Sequence, residues 1–132
     1  MVAKIGVISD THSAGSGRDL PQPVLDALAG VDLILHCGDL ECLGVLDYLE
    51  TVAPVLAVRG YEDPTEPGDR LADSTRVVQA EGVAIGMVHD IQWPGPRIAT
   101  TPNGEALCFP PGSGRELLAR KFGQPVDIVV FG

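Results

Sequence analysis

Between residues 3 and 60 the chain alternates short apolar, β-branched runs with helix-spaced segments, and this alternation constrains the fold more than any other feature. "AKIGVIS" (3–9), "VDLILHCGD" (31–39) and "PVLAVRG" (54–60) read as strands. Their nearly continuous apolar character is that of strands covered on both faces. Between them, "LPQPVLDALAG" (20–30) spaces Val24, Leu25 and Leu28 along a helix face and stops at Gly30, and "LGVLDYLETV" (43–52) is a second helix. Strand, helix, strand, helix, strand predicts right-handed crossovers and a parallel sheet.

The second half changes character. "TRVVQAEGVAIGMVHD" (75–90) reads as an antiparallel hairpin turning at Glu81-Gly82. The Pro- and Gly-rich stretch 91–114 reads as a long, partly structured loop, "RELLARKFG" (115–123) as a short helix, and "VDIVVF" (126–131) as the last strand. No repeat or linker divides the chain, so 132 residues read as one domain, 1–132, long enough to bury a core.

Charge and cysteines narrow the function classes. A net charge of −9 argues against a nucleic-acid polymer as partner, because phosphate backbones require a basic surface. No apolar run approaches the roughly 20 residues that span a bilayer. The opening "MVAKIGVISD" enters a strand directly, without a signal-peptide layout, and Cys37, Cys42 and Cys108 lack metal-knuckle spacing. Reduced thiols in a cytoplasm are the simplest reading.

The strand ends carry the chemistry. The first runs into Ser9-Asp10-Thr11-His12, the second into His36-Cys37-Gly38-Asp39, the third into Arg59-Gly60-Tyr61-Glu62-Asp63, and the hairpin into Val88-His89-Asp90. In a parallel sheet the carboxyl ends of the strands share one edge, where α/β proteins place their sites. Asp10 and His12, two apart in an extended segment, are expected to point the same way. Mixed carboxylate and imidazole donors suit Mn, Fe, Ni or Zn better than Ca or Mg. Asp39 adds a carboxylate able to bridge two ions, and His89 another neutral nitrogen. Singly each signal is weak, since Asp and His at strand ends commonly cap helices or satisfy loop amides. Their ordered succession, each closing an apolar strand, is what gives them weight. His36 reads equally as a support for the site or as a packed strand histidine. Cys37 and Cys42 read as small buried residues, Trp93 as a loop aromatic covering the core, and Arg59, Arg97 and Arg115 as solvated charges.

In that order, "ISDTH" (8–12), "HCGDL" (36–40), "VRGYED" (58–63) and "VHD" (88–90) resemble the motifs of the calcineurin-like metallophosphoesterases, and among them the small bacterial and archaeal phosphodiesterases. The resemblance covers essentially the whole chain. It implies an α/β fold, a metallophosphoesterase-type sandwich of two mixed, parallel-rich β-sheets flanked by helices in α/β/β/α layers. It also implies a two-metal site on the strand ends and hydrolysis of small phosphate esters by metal-activated water. Carried over, Asp10 and His12 hold the first ion, Asp39 bridges both, and His89 serves the second. Asp63 matches the acidic residue closing the third motif, and with His89 it is assigned a catalytic role. Mn is the leading metal, with Fe, Ni and Zn behind it.

Two departures shape the expectation. Tyr61 stands where the family has a metal-ligating Asn, and the family's His-Thr-His after Phe-Gly would follow Gly132, the last residue given. On this reading the chain is C-terminally truncated, retains one ion in preference to two, and has reduced activity. An uncovered strand edge then predicts a two-fold homodimer. The competing expectations are a non-catalytic interaction scaffold, as in the retromer subunit of the same fold, and a gene fragment.

Overall fold

The computed structural model describes residues 3–13, 16–64, 70–71 and 73–132. The first half places strand β1 at Ile5–Ile8, helix α1 at Gln22–Ala27, strand β2 at Leu33–His36, helix α2 at Gly44–Leu49 and strand β3 at Val55–Ala57. These strands form one sheet in the order β1-β2-β3, with both pairings parallel. Short α-helical crossovers leave no other pairing sense open to consecutive neighbouring strands. The second half contributes β4 (Thr75–Ala80) and β5 (Val83–Val88), an antiparallel hairpin, with β8 (Ile128–Phe131) parallel to β5. The hairpin turns at Glu81-Gly82, both with positive φ. The mixed sheet is therefore the second one, while the first is wholly parallel in its described strands. The stretch 91–114 is mostly irregular and holds the two-residue strands β6 (Ala99–Thr100) and β7 (Leu107–Cys108), ahead of helix α3 (Gly114–Phe122).

Period-two alternation decides what each strand face meets. On β2 and the turn after it, Leu35 and Cys37 face the second sheet and pack with Val58, Val78, Ile85 and Met87. Ile34, one residue out of phase, joins Val45, Leu46 and Leu49 under α2 and Leu28 from the α1 side. On the far face of the second sheet Val88 packs with Phe122 of α3 and with Ile91 and Ile98 of the following loop. Helices, sheet, sheet, helix is the expected layering. Each apolar face is covered by one of three contiguous clusters.

One close approach fixes the outer layer. Gly86, mid-strand in β5, has no side chain, and a Cβ there would lie 2.8 Å from Cε2 of Phe122. The ring is only 9% exposed, so it has little room to retreat. We expect Gly86→Ala to cost about 1–3 kcal/mol by overpacking, read as a lower urea midpoint at unchanged m-value. Adding Phe122→Leu should recover part of that loss. An unchanged midpoint would mean that the ring does not rest on β5.

Candidate metal centre

Beyond the formal strand ends, the first two strands continue to hold each other through their main chains. Cys37 N–H donates to Ile8 O (2.9 Å), Asp10 N–H to Gly38 O (2.9 Å), His12 N–H to Asp39 O (3.1 Å) and Ser13 N–H to Leu40 O (3.0 Å). Along this seam Asp10, His12, Asp39 and Glu41 all adopt positive φ, between 45° and 66°. Left-handed geometry costs a non-glycine residue of order 1–3 kcal/mol and persists only where neighbours over-determine it. The extended geometry anticipated for Asp10-Thr11-His12 is therefore not what the fold uses. β1 ends at Ile8, and kinks at both residues bring Asp10 and His12 together.

For Asp39 and Glu41, Asp63 provides the over-determination. Its Oδ1 accepts from the amides of Leu40 (2.8 Å) and Glu41 (2.9 Å), and its Oδ2 from those of Asp39 (2.8 Å) and Gly60 (2.8 Å). Glu62 N–H donates to Asp39 Oδ1 at 3.0 Å. Gly60 packs so tightly here that a Cβ would fall 2.2 Å from Asp39 Oδ1. The Asp39 carboxylate, 10% exposed, is thus fixed with Oδ2 facing the histidines.

Around that oxygen the expected residues converge. His89 Nε2 lies 3.1 Å from Asp39 Oδ2 and 3.9 Å from Asp10 Oδ1. His12 Nε2 lies 3.5 Å from Asp10 Oδ1 and 3.9 Å from Asp39 Oδ2. One ligand atom each from Asp10, Asp39 and His89 lies within 4.8 Å of the other two. Donors about 2.0–2.2 Å from a common ion stand roughly 3–4 Å apart, so the residues present fit a divalent transition metal. The tautomers fit as well. His89 Nδ1–H donates to the Cys37 carbonyl (2.8 Å), which leaves the Nε2 lone pair toward the carboxylates. His12 Nδ1–H donates to Glu41 Oε1 (3.3 Å) with the same result. The Glu41 hydrogen bond, with help from the other nearby carboxylates, raises the His12 pKa above its ordinary value. Ser9 donates a short hydrogen bond to Asp10 Oδ2. Gly132 closes the rim, since a Cβ built on it would lie 2.8 Å from both Asp10 Oδ2 and His89 Nδ1.

Tyr61 does not enter this cluster through its oxygen. Its hydroxyl donates to Asp90 Oδ2, which raises the phenol pKa, and its ring stands edge-on to His89 at 5.6 Å. Trp93, expected over the core, is 56% exposed and lies 6.1 Å from the Tyr61 ring.

A family model for the calcineurin-like phosphoesterase superfamily domain matches residues 3–132. The chain belongs to that superfamily. A probable metallophosphoesterase of Methanothermobacter thermautotrophicus is 39% identical over 90 residues, covering 68% of this chain and 51% of that protein. A probable metallophosphoesterase of Methanocaldococcus jannaschii is 37% identical over 129 residues, covering 97% of this chain and 56% of that protein. The chain spans about half the length of these curated relatives. In fold it is similar to Vps29 of Entamoeba histolytica, solved in complex with zinc, with a TM-score of 0.60, 27% identity, and coverage of 97% of this chain and 62% of that one.

Against this calcineurin-like frame, the fold gathers Asp10, His12, Asp39 and His89 and sets Asp63 behind them. Glu41 and the Cys37 carbonyl were not foreseen. Glu41, two residues after Asp39, carried a usable signal as an acid flanking the motif. A main-chain carbonyl carries none.

His36 answers its open alternatives as a buried support. It is fully buried, its Nδ1 accepts from Gly38 N–H (3.1 Å), and Nε2–H donates to Thr11 Oγ1 (3.1 Å). Burial pushes its pKa down to about 4 from 6.5, and burial likewise pushes the Cys37 thiol up to about 12, so that thiol stays protonated. Between pH 6.5 and 4 the unfolded chain binds a proton at His36 that the folded chain does not. The His36 contribution to stability is therefore complete above 6.5 and lost as pH falls toward 4. We expect a loss of about 2 kcal/mol by about pH 5, measured by urea denaturation across that range. A His36→Gln chain should begin less stable at neutral pH and show a flatter profile. Equal slopes for the two chains would remove His36 as the titrating group.

Proposed function

We infer that the chain is a divalent-metal-dependent phosphoesterase of the phosphodiesterase type. The observation that carries this reading is the convergence of Asp10, Asp39 and His89, with His89 Nδ1 tied to Cys37 and its Nε2 turned inward. Asp10, Asp39 and His89 are proposed to hold one ion, with His12 beside them. Mn is the leading candidate, and the zinc complex of the Entamoeba relative supports a transition metal. Such an ion neutralises phosphoryl oxygens and lowers the pKa of a water. Hydrolysis then places the water oxygen on phosphorus as the ester P–O bond breaks and the departing alkoxide takes up a proton. His89 is proposed as a ligand, since one nitrogen is on a carbonyl and the other on the carboxylates. Asp63, whose oxygens accept four amides, is proposed as a positioning residue in place of the catalytic role first assigned. One ion in preference to two is supported by Tyr61, whose hydroxyl is committed to Asp90. Free Cys37, Cys42 and Cys108 fit a reducing, cytoplasmic setting.

The test couples binding to turnover. Mn titration should raise the Tm of the chain, and bis(p-nitrophenyl) phosphate should be hydrolysed in its presence. Asp39→Ala should remove the Tm shift and lower the rate by more than the roughly 10–100-fold typical of losing an outer-sphere partner. Asp63→Asn should fall within that 10–100-fold range and weaken Mn binding in parallel. If Asp39→Ala retains either the Tm shift or the rate, the site is elsewhere.

A homodimer belongs to the same reading. β1 and β8 lie at the edges of their sheets among the described strands, and Val7 (51%), Ile128 (47%) and Phe131 (38%) are exposed on them. Unpaired edges and apolar surface favour pairing with a second copy. Light scattering over a concentration series should report twice the chain mass, and Val7→Lys with Ile128→Lys should return it to a single mass. A monomer at high concentration would end this proposal.

A further inference from the structure

Beside the carboxylate–histidine cluster lies a pocket of about 170 Å³ whose wall includes His89 and Gly60 on one side and Tyr61, Trp93, Asp90 and Arg59 on the other. That volume is more than ten times the roughly 10–15 Å³ that holds one water. We propose that this pocket is a nucleoside subsite, in which the base of a singly charged nucleoside phosphodiester stacks on Trp93 beside Tyr61 while its phosphorus lies at the Asp10–Asp39–His89 cluster. The proposal rests on the phosphoesterase reading of that cluster and names its substrate class.

Four observations carry it. The first is exposure: Tyr61 is 62% and Trp93 56% exposed, although large apolar clusters within the same fold could have covered them. The second is that the Trp93 ring is held out. Its loop is anchored by buried Ile91 and Ile98 on either side, its amide donates to Asp90 O (3.0 Å), and Lys121, itself buried, donates to the carbonyl of the next residue, Pro94. A loop fixed in this way holds the Trp93 backbone at the pocket wall, as a stacking surface requires. The third is the tilt of 41° at 6.1 Å between the two rings, which leaves no slot between them, so a planar base stacks on the Trp93 face with the Tyr61 ring bordering it. The fourth is charge. The pocket wall carries one cation, Arg59, against one anion, Asp90, in a chain of net charge −9. A singly charged diester suits that balance better than a polyphosphate.

Position links recognition to reaction. His89 lines the pocket with one edge and faces Asp39 with Nε2 at 3.1 Å, so one side chain separates the stacking surface from the reacting group. A nucleoside sits one sugar away from its phosphorus, which matches this adjacency. An alkyl ester would leave the Trp93 face unused.

Trp93 is the only tryptophan in the chain, so its fluorescence reports on this pocket alone. With Mn present, adenosine monophosphate should quench it saturably. Calorimetry should give adenosine monophosphate an affinity about tenfold above that of ribose phosphate, the factor one base stack supplies. Trp93→Ala should bring the two affinities together, and Trp93→Phe should keep part of the difference. In parallel, kcat/KM for the p-nitrophenyl diester of adenosine monophosphate should exceed that for methyl p-nitrophenyl phosphate by about the same factor. The two diesters share a leaving group, and in Trp93→Ala their ratio should approach unity. Equal affinities for the two phosphates, or a ratio that Trp93→Ala leaves intact, overturns the subsite even if both diesters are cleaved. Saturable quenching with neither diester cleaved leaves the subsite standing and overturns the phosphoesterase reading instead.

Discussion

The Asp63 carboxylate is the contact on which the rest of the site depends. Four main-chain amides from two separate strand ends converge on its two oxygens. Two of them belong to residues in left-handed conformation, Asp39 and Glu41. Magnitudes decide the balance. Each strained residue costs about 1–3 kcal/mol, while each hydrogen bond to a charged acceptor contributes roughly 1.5–3 kcal/mol. Four bonds against two strained residues favour the kinked loop. Removing the carboxylate would release the strain and also leave several amides unpaired, so the loop would have both reason and freedom to rearrange. The Asp39 side chain would move with it, because Glu62 N–H and the close approach of Gly60 set its orientation.

A second constraint acts through the imidazoles. The chain has three histidines, and all three have one nitrogen assigned by a partner that accepts only or donates only. Cys37 O accepts from Nδ1–H of His89, Glu41 Oε1 accepts from Nδ1–H of His12, and Gly38 N–H donates to Nδ1 of His36. For His12 and His89 the outcome is that Nε2 is the nitrogen directed at carboxylates. For His36 it is a neutral ring buried under the turn that carries Asp39. Neighbouring residues 36 and 37 thus serve the cluster in different ways, one through its side chain and the other through its carbonyl.

The layered fold was legible because periodicity and punctuation agreed. Apolar runs closed by Gly-Asp or Asp-x-His marked the strand ends, and Glu81-Gly82 marked the hairpin turn. Parallel order within the first sheet gathers Asp10, His12 and Asp39 at one edge, and the packing of the second sheet against it brings His89 there. What stayed hidden depends on backbone conformation. Alternation along an extended segment suggested that Asp10 and His12 point together, but φ values of 55° and 45° bring them together by another route. Asp63 was legible as the acidic residue closing the third motif, but nothing in its spacing reveals the four amides aimed at it. Trp93 read as a cover for the core because side-chain exposure in a Pro-rich loop follows from anchors such as Lys121–Pro94, 27 residues apart in the chain.

Tyr61 gives the site its asymmetry. The resemblance to the calcineurin-like motifs sets up the expectation of a compact Asn at this position. A phenol ring cannot occupy the same volume, and here it turns outward, edge-on to His89, with its hydroxyl on Asp90. Burial pulls the Asp90 pKa upward, but the Tyr61 hydroxyl and the Gln92 amide outweigh it and hold the carboxyl below its ordinary range. Asp90 is therefore charged and engaged, which keeps the ring in place. The carboxylates of Asp10 and Asp39 face His89 from one side, and Tyr61 and Trp93 form an apolar wall on the other. Tyr61, the position where the sequence departs from the expected Asn, is therefore also one that shapes the adjoining pocket.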